Sequence, residues 1–258
     1  MQAPMEILTT WRKFSEFPME TLTKAWFYQK SSKRKQRSVS LMKEHREQYG
    51  ISGNCFDLAI WLLEEFNKDG IVAYPIGSHL HTEKAHTAVI ALDERGRRYL
   101  CDLGDQWLEP ILIDLADDAF SAEKMNGFFP AAQIQIKDAA GGIEVIYHHP
   151  NGKISRQFYP TGPLDMNLFM DAAEYSQNQI RPKPLLEVRT LYKSETAHWE
   201  FYNWESFLST SEGLYKEERL FTLKEWVEKI HLKTGYERKF LAEALELYQM
   251  SDRKGRYI

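Results

Sequence analysis

Cys55, His86 and Asp102 are the residues whose types and order could carry nucleophilic chemistry. A thiolate nucleophile needs a base to take its proton, and that base needs a partner to orient it. Cys55 follows the small polar turn Ser52-Gly53-Asn54 and precedes a strongly apolar helical stretch, "FDLAIWLLEEF" at 56–66. In the first turn of that helix, unpaired N–H groups and the positive dipole end would stabilise a thiolate. His86 opens "HTAVIAL" (86–92), and Asp102 lies near the end of "RRYLCDLG" (97–104). Antiparallel pairing across the short "DERG" loop at 93–96 would bring residue 86 opposite 102 or 103. Both 86 and 102 are even, so one face can carry both side chains. Cys101 then points to the other face as the structural cysteine.

The elements that must position these residues fall into three regions. Helices joined by polar turns occupy 5–50, with a break at Pro18. The Cys55 helix shows Leu58, Trp61, Leu62 and Glu65 at helical spacing and stops at Asn67-Lys68-Asp69-Gly70. "IVAYPIGS" (71–78), "HTAVIAL", "RRYLCDLG", "AQIQIKD", "GGIEVIYHH" and "GKISRQFY" are short β-rich runs separated by turn residues, the pattern of an antiparallel meander or barrel. Residues 164–179 are helical again. "RPKPLLEVRTLY" and "HWEFYNWESFL" supply further strands. The end is helical, opened by Thr222 and Glu225 at capping-box spacing. This order predicts an α+β protein. The expected units are a helical bundle carrying the cysteine over 1–70, an antiparallel β-barrel carrying His and Asp over 71–163, and an α/β lid over 164–258.

Composition removes several classes of function. The 258 residues are 43% hydrophobic and 27% charged, as in an ordinary globular protein. A net charge of −4 argues against a nucleic-acid partner. The one basic run, "QKSSKRKQR" at 29–37, reads as a solvated surface segment or a contact for a phosphorylated ligand. No stretch approaches a membrane span, and the first residues lack a signal-peptide pattern. The expectation is therefore a cytoplasmic protein with both cysteines reduced. His79 and His81 join His86 in "GSHLHTEKAH", but Cys55 is distant and further ligands are missing, so no metal is expected. His148 and His149 precede a Pro-Asn-Gly turn and read as exposed turn residues.

"FPMETLTK" (17–24), "GNCFDLAIWLLEEFNKDGIVAYPI" and "AHTAVIALDERGRRYLCDLG" resemble the arylamine N-acetyltransferase family. That family has a Pro-Phe-Glu-Asn-Leu stretch, an Arg-Gly-Gly-x-Cys-Phe-Glu motif, a strand histidine and an Asp-Val-Gly motif. The intervals here, 31 residues from Cys55 to His86 and 16 to Asp102, are similar to the family's. The resemblance runs nearly full length. It implies that acetyl-CoA, or another acyl-CoA, acylates Cys55 and that a small-molecule amine then takes the acyl group, with His86 as base and Asp102 as its orienter.

Several positions depart from the family pattern. Ser52-Gly53-Asn54 stands for Arg-Gly-Gly, Asp57 for the Glu, and Asp105-Gln106 for Phe-Gly after the Asp-x-Gly motif. The coenzyme-contacting Ser/Thr-rich stretch has no counterpart in "AEYSQNQIRPKP". Phe56, Asp105 and Trp107 are the candidate acceptor-binding residues: Asp105 would favour polar or cationic amines unless it faces solvent and Trp107 supplies an apolar wall. The related transglutaminase-like superfamily has the same Cys, His, Asp order, so a cysteine enzyme acting on peptide amides is the alternative. A binding protein on the same scaffold without turnover is the third.

Overall fold

Asn54 fixes where the nucleophile-bearing helix begins. In the computed structural model, which describes residues 2–31 and 33–254, four helices precede the first long strand. These are α1 (Met5–Arg12), α2 (Leu22–Lys30), α3 (Val39–Tyr49) and α4 (Cys55–Lys68), with a two-residue strand, β1 (Met19–Glu20), before α2. Met1, Ser32 and 255–258 lie outside the described residues; they include the ends of the expected first and third units and one position of the basic run. Ser38 caps α3, and Gly50, at φ 73°, closes it in the left-handed conformation that glycine adopts without a steric cost. The Asn54 side chain caps α4 by accepting from the N–H groups of Phe56 and Asp57, while the Asp57 carboxylate accepts from the Asn54 N–H. This reciprocal box makes Cys55 the first helical residue.

Two four-stranded sheets follow. β2 (Ala73–Ser78), β3 (His86–Leu92), β4 (Arg98–Cys101) and β5 (Ile111–Leu112) pair antiparallel in chain order. So do β6 (Met125–Phe129), β7 (Ala132–Ala139), β8 (Gly142–His148) and β9 (Ile154–Pro160). The expected single barrel is thus two separate sheets, with no ladder closing them among the described residues. The link between β5 and β6 is a run of turns that offers no pairing strand, which ends the first meander. Beyond α5 (Met166–Gln177), the strands β10 (Leu185–Tyr192), β11 (Glu195–Tyr202), β12 (Glu205–Thr210) and β13 (Gly213–Lys216) make a third sheet. The helices α6 (Leu223–Thr234) and α7 (Arg238–Lys254) complete the α+β chain. No described helix is long and apolar enough to cross a membrane.

Apolar burial organises these layers into two cores. One lies among α1, α4, α5 and the first two sheets, with Trp11, Phe56, Phe66, Val89 and Phe169 sealed from solvent. Burying each such side chain contributes about 1.5–3 kcal/mol. The other gathers Trp26, Trp199, Phe201, Trp226 and Phe240, so α2 packs with the C-terminal half. β1 pairs with β10, Glu20 to Leu186, and so ties the approach to Cys55 to the third sheet.

Between the cores runs a buried polar network that sequence reading did not anticipate. Arg37, placed above in a solvated run, is 3% exposed; it pairs with Asp57 at 3.3 Å and donates to the Ser52 carbonyl. Gln36 donates to Asp57 and accepts from Gln177, and Gln177 accepts from Asn54. Gly53, at φ 144°, is required in this corner. A Cβ there would lie 2.6 Å from the Arg37 guanidinium and closer still to Asp57. Glu20, also fully buried, accepts from the Thr23 N–H and hydroxyl.

Two stability outcomes follow from this network. Asp57→Ala strands the buried Arg37 charge and removes the reciprocal cap, and should lower unfolding free energy by about 3–5 kcal/mol in urea titrations. An unchanged midpoint would mean that Arg37 finds another partner. Burial raises the Glu20 pKa to about 7, above its ordinary 4.5, although both bonds from Thr23 oppose the shift. The folded state therefore holds a proton that the unfolded chain has released, and stability falls as pH rises from 4.5 through 7, by about 3 kcal/mol. Glu20→Gln should flatten that part of the stability-against-pH curve.

Candidate active site

Gly104 is where the chemistry-bearing residues converge. The ladder pairs Val89 with Cys101 and Leu92 with Arg98, a register that carries His86 level with Gly104. Asp102 is therefore diagonal to His86 and not directly opposite, because the connection between Leu92 and Arg98 includes Arg97 and is one residue longer than the expected loop. The parity expected from the sequence survives the difference, since 86, 102 and 104 share one face. A Cβ on Gly104 would sit 2.7 Å from the Cys55 Cβ, 3.1 Å from the His86 Cε1 and 3.2 Å from an Asp102 oxygen. Only a residue without a side chain lets the α4 terminus come this close to the strand ends.

The imidazole is held from both sides. Nε2 of His86 hydrogen-bonds Oδ2 of Asp102 at 2.6 Å, and Asp102 is completely buried. Nδ1 lies 3.8 Å from Oδ1 of Asp105. Two tyrosines missed from sequence complete the cluster. The Tyr159 hydroxyl donates to Asp102 at 2.8 Å and lies 3.2 Å from Asp105, and the Tyr147 hydroxyl donates to Asp105 at 3.2 Å. The Asp105 N–H donates to the other Asp102 oxygen at 3.0 Å. Alternation along β8 and β9 turns both tyrosines inward, and that inward phase was the available signal. Asp105 is therefore held toward His86 and the tyrosines, with its side chain 27% exposed on the cavity wall.

Charge sets the proton balance. Burial pushes the His86 pKa down, but the Asp102 and Asp105 carboxylates outweigh it and hold the ring well above its ordinary 6.5. Burial pushes the Cys55 thiol up; the His86 charge, Lys24 and the Thr87 N–H pull it back only in part. The stabilisation of a thiolate expected at the helix start is thus outweighed by burial, even with the His86 charge beside the sulfur. Asn54 has already taken the Phe56 and Asp57 N–H groups, which leaves the Cys55 N–H as the helix-start donor. Lys24, itself lowered to about 8 by burial, borders the same cavity.

That cavity, about 430 Å³, is lined by Cys55, His86, Gly104 and Asp105, with Lys24, Arg181 and Lys183 also on its wall. Phe56 and Trp107, the other candidate acceptor contacts, are not brought into it. Phe56 is fully buried against Phe169, and Trp107 is fully buried against Phe129 and Tyr147. Their apolar surface draws both into the core. Cys101 is buried on the opposite face as expected. His148 and His149 are half-buried and border a separate cavity of about 740 Å³. His86, Asp102 and Asp105 are the one group among the described residues with ligand atoms close enough, within 4.8 Å, to hold a metal ion. Both Asp102 oxygens, Oδ2 of Asp105 and Nε2 of His86 are engaged by one another and by the two tyrosines, while Oδ1 of Asp105 and Nδ1 of His86 face each other at 3.8 Å.

No protein-family model matches the chain, and no curated protein matches its sequence. Solved structures do. The arylamine N-acetyltransferase of Mycobacterium marinum superposes with a TM-score of 0.71 at 10% identity, covering 93% of this chain and 90% of that one. The enzyme from M. tuberculosis gives 0.69 at 15% identity, covering 95% and 94%. The M. marinum enzyme in complex with CoA gives 0.63 at 10% identity, covering 88% and 86%. Over nearly its whole length, this chain has the fold of the arylamine N-acetyltransferases.

Proposed function

We propose that the protein is an acyltransferase in which Cys55 carries an acyl group from an acyl-CoA, acetyl-CoA first, to a small amine. The observation that carries the proposal is the meeting of Cys55, His86 and Asp102 at Gly104, on the wall of an open cavity. The fold supports it, and one of the structures similar to this chain is a complex with CoA. Lys24, Arg181 and Lys183 on the cavity wall suit an anionic donor.

In this mechanism the Cys55 proton passes to Nδ1 of His86, and Asp102 stabilises the imidazolium through Nε2. The two titrations are linked, because burial favours the thiol and the two carboxylates favour the imidazolium, and the transfer needs the ring in its neutral form. The sulfur attacks the thioester carbonyl, and the Cys55 N–H at the helix start would donate to the developing oxyanion. The intermediate collapses as the coenzyme sulfur leaves with the proton from Nδ1. An amine then attacks acyl-Cys55, its proton returns through His86, and an amide and free Cys55 result. Residues 164–254 would cover the cleft as a lid.

Incubation with acetyl-CoA followed by intact-mass measurement should show one acetyl adduct, absent in Cys55→Ala. A wild-type protein that stays unmodified with every acyl thioester would remove the reading. His86→Ala should slow acyl transfer by about 10²–10⁴-fold. It should also slow Cys55 alkylation by iodoacetamide at pH 7, because the thiol loses the charge that favours its ionisation. Equal alkylation rates in the two proteins would show that His86 does not act on the sulfur.

A further inference from the structure

An amine acceptor must lose protons, and how many depends on its class. A neutral arylamine attacking acyl-Cys55 loses one, which His86 can take. An alkylamine arrives as an ammonium ion and must lose one before it can attack and a second as the amide forms. With a pKa near that of lysine, less than about one part in a thousand is neutral at pH 7. A site with a single base is poorly equipped for it.

This site has a second carboxylate in position. We infer that Asp105 is a catalytic base that deprotonates a cationic alkylamine before it attacks acyl-Cys55, so that the acceptors of this protein are amines protonated at neutral pH. The inference rests on the acyl-cysteine reading above and extends it to the acceptor. Asp105 lines the cavity with Cys55 and His86, and its Oδ1 lies 3.8 Å from Nδ1, the ring nitrogen not committed to Asp102. Its other oxygen accepts from the Tyr147 hydroxyl and lies beside that of Tyr159, which leaves Oδ1 toward the reacting centre.

The step balances. The ammonium gives one proton to Asp105 Oδ1 and becomes a neutral amine. The amine nitrogen forms a bond to the acyl carbon, the C–S bond to Cys55 breaks, and the second proton goes to His86. Asp105 then releases its proton to water through the open cavity.

The groups facing Asp105 suit it to this role. Burial raises its pKa above the ordinary 3.8, against the pull of His86, which makes it a better proton acceptor than an exposed carboxylate. Asp102 adds to the rise, and the two tyrosine hydroxyls oppose it. On the far side, Asp105 also borders a compartment of about 180 Å³ with Arg156 from β9, Glu187 from β10 and His198 from β11. Glu187 is itself raised by burial, with Glu200 and Asp105 adding to the effect. Lys24, Arg181 and Lys183 on the cavity wall and Arg156 in that compartment are the positive charges a cationic acceptor meets, so its attraction to the site comes from Asp105 itself.

The test uses enzyme acetylated at Cys55 by p-nitrophenyl acetate as well as by acetyl-CoA, and follows discharge by butylamine and by aniline. In Asp105→Asn the butylamine-to-aniline rate ratio at pH 7 should fall by about 10- to 100-fold. The ratio should recover as pH rises toward 10, where water supplies the neutral alkylamine, and Asp105→Glu should restore part of it at pH 7. An unchanged ratio would overturn the inference. So would a fall that pH does not repair, because the loss would then be one of shape or charge and not of a base. Failure of acetyl-CoA to charge Cys55 while the ester succeeds would count against the coenzyme donor and not against Asp105.

Discussion

The buried Arg37–Asp57 pair is the constraint on which the site depends. Two opposite charges, each about 2% exposed, are stable in an interior only when hydrogen bonds satisfy the rest of their valence. Gln36, Gln177, the Asn54 N–H and the Ser52 carbonyl supply those bonds. The result is a rigid terminus for α4 that fixes Cys55 from behind while its sulfur faces the cavity. Helix propensity alone would leave that first turn frayed.

On the opposite side, strand geometry does the equivalent work for His86. A ladder fixes the ring's face, and the turn after β4 brings Asp102 back beneath it. Tyr147 and Tyr159 reach the cluster from a different sheet, so three independent elements agree on one imidazole orientation. Such agreement makes the position of a proton a property of the whole fold and not of one side chain.

Cys55, His86 and Asp102 were legible in the sequence because each depends on local order: a cap before an apolar helix, and parity across a short hairpin. Most strands and α4 through α7 were legible for the same reason. Arg37, Gln36 and Gln177 were not, because their roles come from partners 15 to 141 residues away and their types are those of an exposed surface. Phe56 and Trp107 failed as acceptor contacts because proximity in sequence to the site says nothing about which way an apolar ring turns. The barrel failed because a meander of short strands has the same pattern whether or not its ends meet.

The tie between β1 and β10 has a consequence for the order in which the molecule matures. Glu20 bonds to the Gly53 carbonyl and pairs with Leu186, and the Tyr236 hydroxyl bonds to Ser52. The turn that aims the sulfur is thus completed by chain synthesised some 130 to 180 residues after it. Growing from its amino end on the ribosome, the polypeptide would present Cys55 for most of that time as an unremarkable thiol. The turn before Cys55 gains its last two ties only with β10 and the final helices, and a chain that stalls early lacks both.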